Sequence, residues 1–193
     1  MSSRTNLTRE DWIHAAQEVL VTSGVDAVRV DTLAKELKIT RGSFYYHFKS
    51  RGELLEGILG NWRARATEDV ILNLRTAHSS PVQQLQRLLE LPSHGQTAKD
   101  AASIELGIRG WARRDKQARQ AIDEVDSHRL SYIEGLLIQA GIPSDEAQDR
   151  AYLIYAYQIS LSLLHSEDTP QQRQARSQRM AGILIPVCSH TPS

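Results

Sequence analysis

The sequence has little of several features on which whole classes of protein depend. Its one cysteine, Cys188, cannot form a disulfide within the chain, which excludes a disulfide-stapled fold and favours a reducing compartment. Lys and Arg total 23, as do Asp and Glu, so a generally basic protein that coats nucleic acid is excluded. Because a net sum hides the distribution of charge, this balance is still compatible with a local basic face.

Long apolar segments are also missing. The first thirty residues contain Glu10, Asp11 and Glu18 and no apolar stretch typical of a signal peptide. The uncharged run Ala151–Leu164 is shorter than the about 20 residues that a membrane-spanning helix needs. We therefore expect a cytoplasmic protein that has no membrane partner.

Motifs that carry enzymatic chemistry are missing too. The seven histidines form neither an HxxxH pair nor a Cys/His cluster, and there is no GxSxG, Walker or dinucleotide glycine motif. Cys188 has no obvious base nearby and is more typical of a core or tail residue. We expect no enzyme, no metal site and no cofactor.

Apolar residues recur at helical spacing along the whole chain, and Gly and Pro fall mostly between the periodic segments. In the first segment Thr8 is placed to cap a helix, and Gly24 stands where a left-handed stop belongs. Ser50 and Glu53 form a capping-box pattern before the fourth segment. The pattern predicts an all-α fold of about nine helices, at about 7–23, 31–37, 41–48, 51–77, 81–91, 98–113, 116–140, 143–165 and 169–187.

The second and third helices have the short connection of a helix-turn-helix. Phe44 and Phe48 are four residues apart, so they share one face and can seat the third helix on the first two. The opposite face carries Gly42 and Tyr46, flanked by Arg41, Ser43, Tyr45 and His47. Between Lys35 and Arg51 there are five Lys or Arg residues and one acid. Such a face suits phosphates and base edges in the major groove better than it suits water.

The segment TLAKELKITRGSFYYHFKSRGELL resembles the helix-turn-helix of TetR-family transcriptional repressors over about Leu7–Leu59. The matching elements are Leu33-Ala34, Thr40-Arg41-Gly42, the run Phe44–Phe48, and Lys49 with Arg51. The resemblance implies DNA contacts by Thr40, Arg41, Gly42, Tyr45, Tyr46, His47 and Arg51, with Thr40 also capping the third helix. The basic and polar character of the segment adds Lys38, Ser43 and Lys49 to the predicted contacts.

Two residues depart from the family pattern. Lys38 stands where many members have Gly in the turn, which indicates either an added phosphate contact or a different turn conformation. Gly52 stands where a charged residue is frequent. The resemblance also implies two domains: a three-helix DNA-binding domain at 1–52 and, joined by a fourth helix from about residue 51, a helical ligand-binding and dimerisation domain at 53–193.

The segment Tyr152–Leu164 is uncharged around nearly its whole circumference, so a helix there must be buried on most sides. A second copy of the chain would supply that cover in a two-fold four-helix interface; a core helix inside a monomer is the alternative. The predicted dimer interface comprises Tyr152, Ala156, Ser160, Leu164 and Leu184.

The family resemblance implies an inducer pocket among the fourth to seventh helices, although apolar residues at helical spacing are also typical of plain core. Its predicted residues are Trp62, Ala66, Val70, His78, Leu88, Ile104, Ile108, Arg109, Trp111 and Tyr132, with Leu85, Leu89, Glu105 and Leu136 as further candidates. Gly57 and Gly60 weaken the fourth helix, which suggests that it flexes when a ligand binds. We expect a homodimer that binds a palindromic operator and is released by a small molecule; an activator or a ligand-independent architectural DNA-binding protein is the alternative.

Overall fold

The structure is a computed structural model that describes residues 7–68, 71, 74, 80–90, 95–164 and 166–185. All regular elements in these ranges are helical, which confirms the all-α prediction. A 3₁₀ turn occupies Val25–Ala27, and a π-helical segment occupies Ala64–Glu68. The nine α-helices of the described residues are α1 Arg9–Ser23, α2 Val30–Glu36, α3 Arg41–His47, α4 Arg51–Arg63, α5 Pro81–Glu90, α6 Gly95–Ala112, α7 Lys116–Gln139, α8 Ser144–Leu163 and α9 Pro170–Leu184.

Two helices differ from their predicted bounds. The fourth helix, predicted to run to about Ala77, has α geometry from Arg51 to Arg63 and then a π-helical segment, and the described residues Ile71 and Leu74 beyond that segment are again α-helical. The sixth begins at Gly95, although a loop was predicted through Thr97. Polar residues such as Gln96 and Thr97 are well tolerated in a first helical turn, because the backbone N–H groups there have no partner within the helix.

The predicted helix ends are largely confirmed, because their signals are local. The Thr8 side chain accepts from the Asp11 N–H, and the Asp11 carboxylate accepts from the Thr8 N–H, which completes a capping box. Gly24 has φ +79° and ψ 169°, a glycine conformation that differs from the predicted αL stop, whereas Gly141 ends α7 with φ +92°. Ser50 accepts from the Glu53 N–H, but the Glu53 carboxylate accepts from Lys49 N–H at 2.8 Å instead of closing the box.

The chain divides into two compact units, and the first comprises residues 1–65 and 103–122. Helix α1 packs against α2 and α4, and α2 packs against α3. The buried side chains at the centre of these helices include Trp12, Ile13, Ala16, Leu20, Leu33, Phe44, Phe48, Leu54 and Ile58. This unit contains more of the chain than the predicted DNA-binding domain, residues 1–52, and that functional boundary stays a prediction.

The second unit comprises residues 66–102 and 123–193. Its core includes Leu85, Leu89, Ile133, Leu137 and Ile154, with α9 packed on α5 and on α8. Within the described part of the chain, no helix is both long enough and apolar enough to cross a membrane.

Candidate nucleic-acid interface

Two phenylalanines fix α3 to the first unit. Phe44 is completely buried and Phe48 is 2% exposed, and their rings stack at a centroid distance of 5.4 Å. Trp12 of α1 meets the Phe44 ring edge-on at 5.3 Å. The prediction that the four-residue spacing of Phe44 and Phe48 seats α3 is therefore confirmed, because both rings are buried in the core.

The opposite face of α3 is open to solvent. Tyr46 is 85% exposed and Tyr45 is 56% exposed, which is unusual for rings with this much apolar surface. Gly42 and Arg41 are also exposed, whereas Ser43 and His47 are half-buried. The His47 ring meets the Tyr46 ring edge-on at 5.0 Å, so the aromatic surface continues towards the end of the helix.

The turn between α2 and α3 is held in a left-handed conformation. Lys38 has φ +56°, a backbone region that favours glycine. The turn is closed by the N–H of Ile39, which donates to the Ala34 carbonyl at 3.0 Å. This geometry explains why relatives with glycine here can share the fold. The Lys38 side chain is exposed, and its contact with a phosphate stays a prediction.

The start of α3 differs from the prediction at Thr40. Its backbone has the extended geometry of an N-cap residue, but its side chain makes no capping hydrogen bond, so the predicted cap is wrong. The Thr40 carbonyl instead accepts from the Ser43 N–H at 3.1 Å. Arg41, the first residue of the helix, forms an exposed ion pair with Asp31 of α2 at 3.0 Å. An exposed ion pair contributes little to stability, so Arg41 can exchange its partner for a phosphate at small cost.

The end of α3 is fastened to both neighbouring helices. Glu53 of α4 accepts from the Lys49 N–H and lies 3.5 Å from the Arg9 guanidinium of α1. Arg9 also lies over the Phe48 ring, 4.6 Å from its centroid. The hydrogen bond from Lys49 and the nearby charge of Arg9 together hold the pKa of Glu53 below its usual range. The Lys49 side chain is exposed beyond this junction.

The Arg51 side chain is less exposed than the DNA contact implied by the family resemblance would suggest. Its side chain is half-buried, and its guanidinium donates to the carbonyls of Val28 and Val25, each at 2.6 Å. These intramolecular bonds could not be read from the sequence, because the carbonyls lie 23 and 26 residues earlier. The DNA contact predicted for Arg51 stays untested.

The predicted inducer-pocket residues fall into both units. Trp62, Ile108 and Trp111 are buried in the first unit, where Ile104 is half-buried and Arg109 forms an ion pair with Glu105 at 2.8 Å. The candidates in the second unit are Ala66, Leu85, Leu88, Leu89, Tyr132 and Leu136, and the remaining two, Val70 and His78, lie outside the described residues. The pocket therefore stays a prediction.

The second unit contains a groove between α7 and α8 with a volume of about 350 Å³. Tyr152, from the predicted dimer face, lines it, whereas none of the predicted inducer-pocket residues does. Its other lining residues are mostly polar or acidic, and they are Asp123, Asp126, Ser127, Leu130, Ser131, Glu134, Gln148 and Ala151. Among the residues that the structure describes, no group of three His, Cys, Asp or Glu side chains could hold a metal ion.

A hydrogen-bond network in the second unit has no counterpart in the sequence prediction. Arg129 of α7 donates to the Ala66 carbonyl, at 3.3 Å from Nε and 3.2 Å from Nη2, and to the Tyr155 hydroxyl at 3.1 Å. The Tyr155 hydroxyl in turn donates to the Asp126 carboxylate at 2.5 Å. The network therefore ties the π-helical segment that follows α4 to α7 and α8.

One face of α8 is buried and the other is open. Ala151, Ile154 and Tyr155 pack into the second unit, whereas Tyr152 and Ala156 are exposed. Within the residues that the structure describes, one side of α8 is therefore left uncovered. Other large apolar side chains exposed on α8, at its end or on α9 are Leu153, Leu163, Leu164 and Ile183.

Two residues of the predicted dimer interface are placed differently from this open face. Ser160 is half-buried, and its hydroxyl donates to the Tyr157 carbonyl at 2.7 Å. Leu184 is 7% exposed and belongs to the core of the second unit, whereas its neighbour Ile183 is 67% exposed. Leu184 is therefore covered by its own unit, and the contact predicted for it in a dimer stays a prediction.

The two glycines of α4 have different surroundings. A Cβ on Gly57 would lie 3.2 Å from Cδ1 of Ile13 and 3.6 Å from Cε1 of Phe48, so Gly57 allows α4 to approach α1 and the end of α3 closely. A Cβ on Gly60 would meet nothing within 4 Å. The predicted flexibility of α4 therefore rests on Gly60, because Gly57 has a packing role.

The sequence of the helices that form this surface is similar to that of a known family. Residues 13–58 match the sequence profile described as "Bacterial regulatory proteins, tetR family". This segment is similar to the N-terminal domain of TetR-family regulators. The match begins inside α1 and ends inside α4, so it includes both the seat of α3 and its open face.

Two TetR-type relatives show how far the sequence similarity extends. The chain is 39% identical over 54 residues to the HTH-type transcriptional regulator SrpR of Pseudomonas putida, which covers 28% of this chain and 25% of SrpR. It is 29% identical over 80 residues to the HTH-type transcriptional repressor BepR of Brucella suis, which covers 42% of this chain and 38% of BepR. These alignments span less than half of each relative. The relatives are transcriptional regulators and not enzymes, in agreement with the sequence prediction.

Solved structures extend the fold similarity to almost the whole chain. A transcriptional regulator from Rhodococcus sp. Rha1 superposes with a TM-score of 0.74 at 17% identity, covering 92% of this chain and 96% of that one. The transcriptional regulator FadR from Bacillus subtilis, in complex with stearoyl-CoA, superposes with a TM-score of 0.67 at 17% identity, covering 93% and 99%. At this identity the similarity shows a shared fold.

Proposed function

We propose that the protein is a transcriptional regulator that binds a palindromic operator as a homodimer, acts as a repressor and is released by a small-molecule inducer. The observation that carries this proposal is the seating of α3. Phe44 and Phe48 hold it in the core while Tyr45, Tyr46 and the basic residues around them face outwards. Tyrosine hydroxyls and cations on one rigid helix can bond phosphates and base edges.

The open face of α8 supports dimerisation. One α3 of seven residues contacts too few bases to select a site in a genome, so specificity requires two copies. A second chain packed on Tyr152, Ala156 and Leu164 would cover the exposed apolar surface. Two-fold pairing would place the two α3 helices about 34–36 Å apart, facing successive major grooves.

Inducer release is supported by the fold and by what related proteins bind. FadR from Bacillus subtilis, which shares the fold, has been solved with stearoyl-CoA, and BepR, which is 29% identical to this chain over 80 residues, is named a repressor. We propose that the inducer binds among the predicted pocket residues, and a metabolite panel is the means to identify its chemical class. An activator, or a DNA-binding protein that responds to no ligand, would use the same α3 surface.

Selection of bound duplexes from a random pool tests the DNA-binding function directly. We expect enrichment of a palindrome whose half-sites are separated by about one helical turn. Because phosphate contacts release counterions, raising salt from about 50 to 200 mM should weaken binding to the selected duplex by orders of magnitude. Enrichment of no sequence, or binding that is independent of salt, would refute the proposed function.

The role of the dimer is tested by the exposed Ala156. Ala156→Glu places a charge where two helices should approach closely, so we expect sedimentation to show monomers and the affinity for the palindrome to fall by at least about tenfold. Gln139→Glu, at an exposed position on α7, adds the same charge away from the proposed interface and should remain dimeric. A dimeric Ala156→Glu protein with normal affinity would place the interface elsewhere.

Inducer release and ligand-independent binding can be distinguished by tryptophan fluorescence. Trp62 and Trp111 are both buried, and both belong to the predicted pocket set. We expect a member of a metabolite panel that includes acyl-CoA to quench their emission and to release the selected duplex at the same concentrations. Quenching without release, or no response from a broad panel, would favour the ligand-independent alternative.

A further inference from the structure

The guanidinium of Arg51 bridges two carbonyls far back in the chain. Its Nε donates to the Val28 carbonyl and its Nη2 to the Val25 carbonyl, each at 2.6 Å. Hydrogen bonds from a charged donor are short and roughly twice as strong as neutral ones. With its side chain half-buried, Arg51 is better shielded from water than the exposed cations of the same segment.

The two carbonyls lie just before α2, whereas Arg51 lies just after α3. Val25 begins the 3₁₀ turn, and Val28, which is completely buried, ends it just before α2. Arg51 begins α4, four residues after the end of α3 at His47. The segment from Val28 to Arg51 therefore contains α2, the turn and α3, and the guanidinium joins its two ends.

Joining the ends of a segment restricts how the helices between them can move. Helix α3 is already seated by Phe44 and Phe48, but each aromatic contact leaves rotation about the helix axis less constrained than a directional hydrogen bond does. The two bonds to Val25 and Val28 are directional and come from one planar group. They fix where α4 begins relative to where α2 begins, and α3 is connected to both.

We propose that Arg51 is a positioning residue of the helix-turn-helix and that it acts by fastening the two ends of the α2–α3 segment, without itself contacting a phosphate. The inference rests on the proposed DNA-binding function. It differs from the DNA contact that the family resemblance implies for this position. The arginine is required because its planar fork of donors reaches two carbonyls at once, whereas a lysine ammonium is a single point charge.

Arg51→Lys separates the two roles, because it keeps the positive charge and removes the fork. If Arg51 positions the segment, affinity for the selected duplex should fall by at least about tenfold at every salt concentration, with an unchanged salt slope. If it contacts a phosphate, Arg51→Lys should bind normally, and Arg51→Gln should reduce the salt slope by about 1. The latter pair of results would overturn the proposal.

Two matched variants calibrate these measurements. Arg29→Lys loses one bond, from an exposed arginine to the Asp26 carbonyl at 3.0 Å, and should bind within about twofold of wild type. Lys49→Gln removes an exposed charge next to α3 and should reduce the salt slope by about 1, as a phosphate contact does. An Arg51→Gln slope equal to that of Lys49→Gln would count against the proposal.

A measurement on the wild-type protein covers the case in which the variants fail to fold. The NMR signal of the Arg51 Nε–H should be protected from exchange with water in the free protein and should keep its shift when the duplex is added. A signal that becomes protected only with DNA would overturn the positioning role. If wild type binds no duplex, the DNA-binding function fails, and protection in the free protein still shows whether the two ends are fastened.

Discussion

Helices α3 and α8 each leave one face uncovered, and the two faces differ in kind. The seven residues of α3 expose two tyrosines among cations, whereas the uncharged stretch from Ala151 to the end of α8 exposes Tyr152 and Leu153, with Asp123, Asp126 and Glu134 of α7 lining the groove beside Tyr152. An aromatic and cationic face can satisfy an anionic duplex, while an uncharged apolar face is best covered by another protein surface. The comparison indicates that the chemistry of the open face specifies the class of partner.

The strongest test of this comparison removes the seat of α3. Phe44→Ala deletes a completely buried ring that contacts Trp12 and Phe48, so we expect the free energy of unfolding to fall by about 3–5 kcal/mol. Duplex binding should be lost with it, and urea unfolding and fluorescence anisotropy measure the two effects. Leu89→Ala, at a buried site in the second unit, should also destabilise, by about 2–5 kcal/mol, yet retain binding while folded. Normal duplex binding by Phe44→Ala would show that the seat is not needed.

Arg129 provides the corresponding test in the second unit. Arg129→Met keeps the length of the side chain and removes its bonds to the Ala66 carbonyl and the Tyr155 hydroxyl. We expect a loss of about 1.5–3 kcal/mol, typical of hydrogen bonds from a charged group, measured by urea unfolding. Tyr155→Phe removes only the hydroxyl and should lose less. Unchanged stability in Arg129→Met would show that the network contributes nothing.

Lys38→Gly resolves the two explanations of the unusual turn residue. At φ +56° a side chain costs about 1–2 kcal/mol, partly offset because glycine has a more flexible unfolded state. We expect Lys38→Gly to raise stability by up to about 1 kcal/mol and to leave the salt slope of duplex binding unchanged. A slope reduced by about 1 would instead assign Lys38 a phosphate contact.

A smaller effect concerns two carboxylates, one in each unit. The N–H and hydroxyl of Thr8 lower the pKa of Asp11, and the Ser166 hydroxyl, with Arg176, lowers the pKa of Asp168. A carboxylate whose pKa is lower in the folded state contributes its full stabilisation at pH values above its unfolded-state pKa. This stabilisation is lost as the pH falls through the folded-state pKa. Asp11→Asn and Asp168→Asn should therefore each lower Tm slightly at pH 7, and the difference from wild type should shrink as the pH falls below the unfolded-state pKa. A constant difference in Tm over this range would contradict the linkage.

Features set by neighbouring residues could be predicted from the sequence. The Phe44 and Phe48 pair, the Thr8 cap and the stop at Gly141 each depend on residues within one helical turn, and the structure confirms all three. The basic and aromatic segment could be matched to a family for the same reason, because its residues are contiguous. The candidate DNA surface was thus predictable in outline.

Features set by distant packing could not be predicted. Arg51 meets carbonyls more than twenty residues away, and Gly57 is small because of Ile13 on another helix. On α9 the exposed residue is Ile183, whereas the predicted interface residue Leu184 is buried, because packing against α5 and α8 fixes how the helix is rotated about its axis. A one-residue rotation moves a side chain by about 100° around the helix, which periodicity alone fixes poorly in a polar helix.

The central claim is that the open face of α3 binds DNA, and Tyr46→Ala tests it most directly. Affinity for the selected duplex, measured by fluorescence anisotropy with sedimentation to show that the dimer is intact, should weaken by about 1–3 kcal/mol. Ile138→Ala, which trims an exposed side chain on α7, should bind as wild type does. Wild-type affinity in Tyr46→Ala would show that this face of α3 does not meet the duplex.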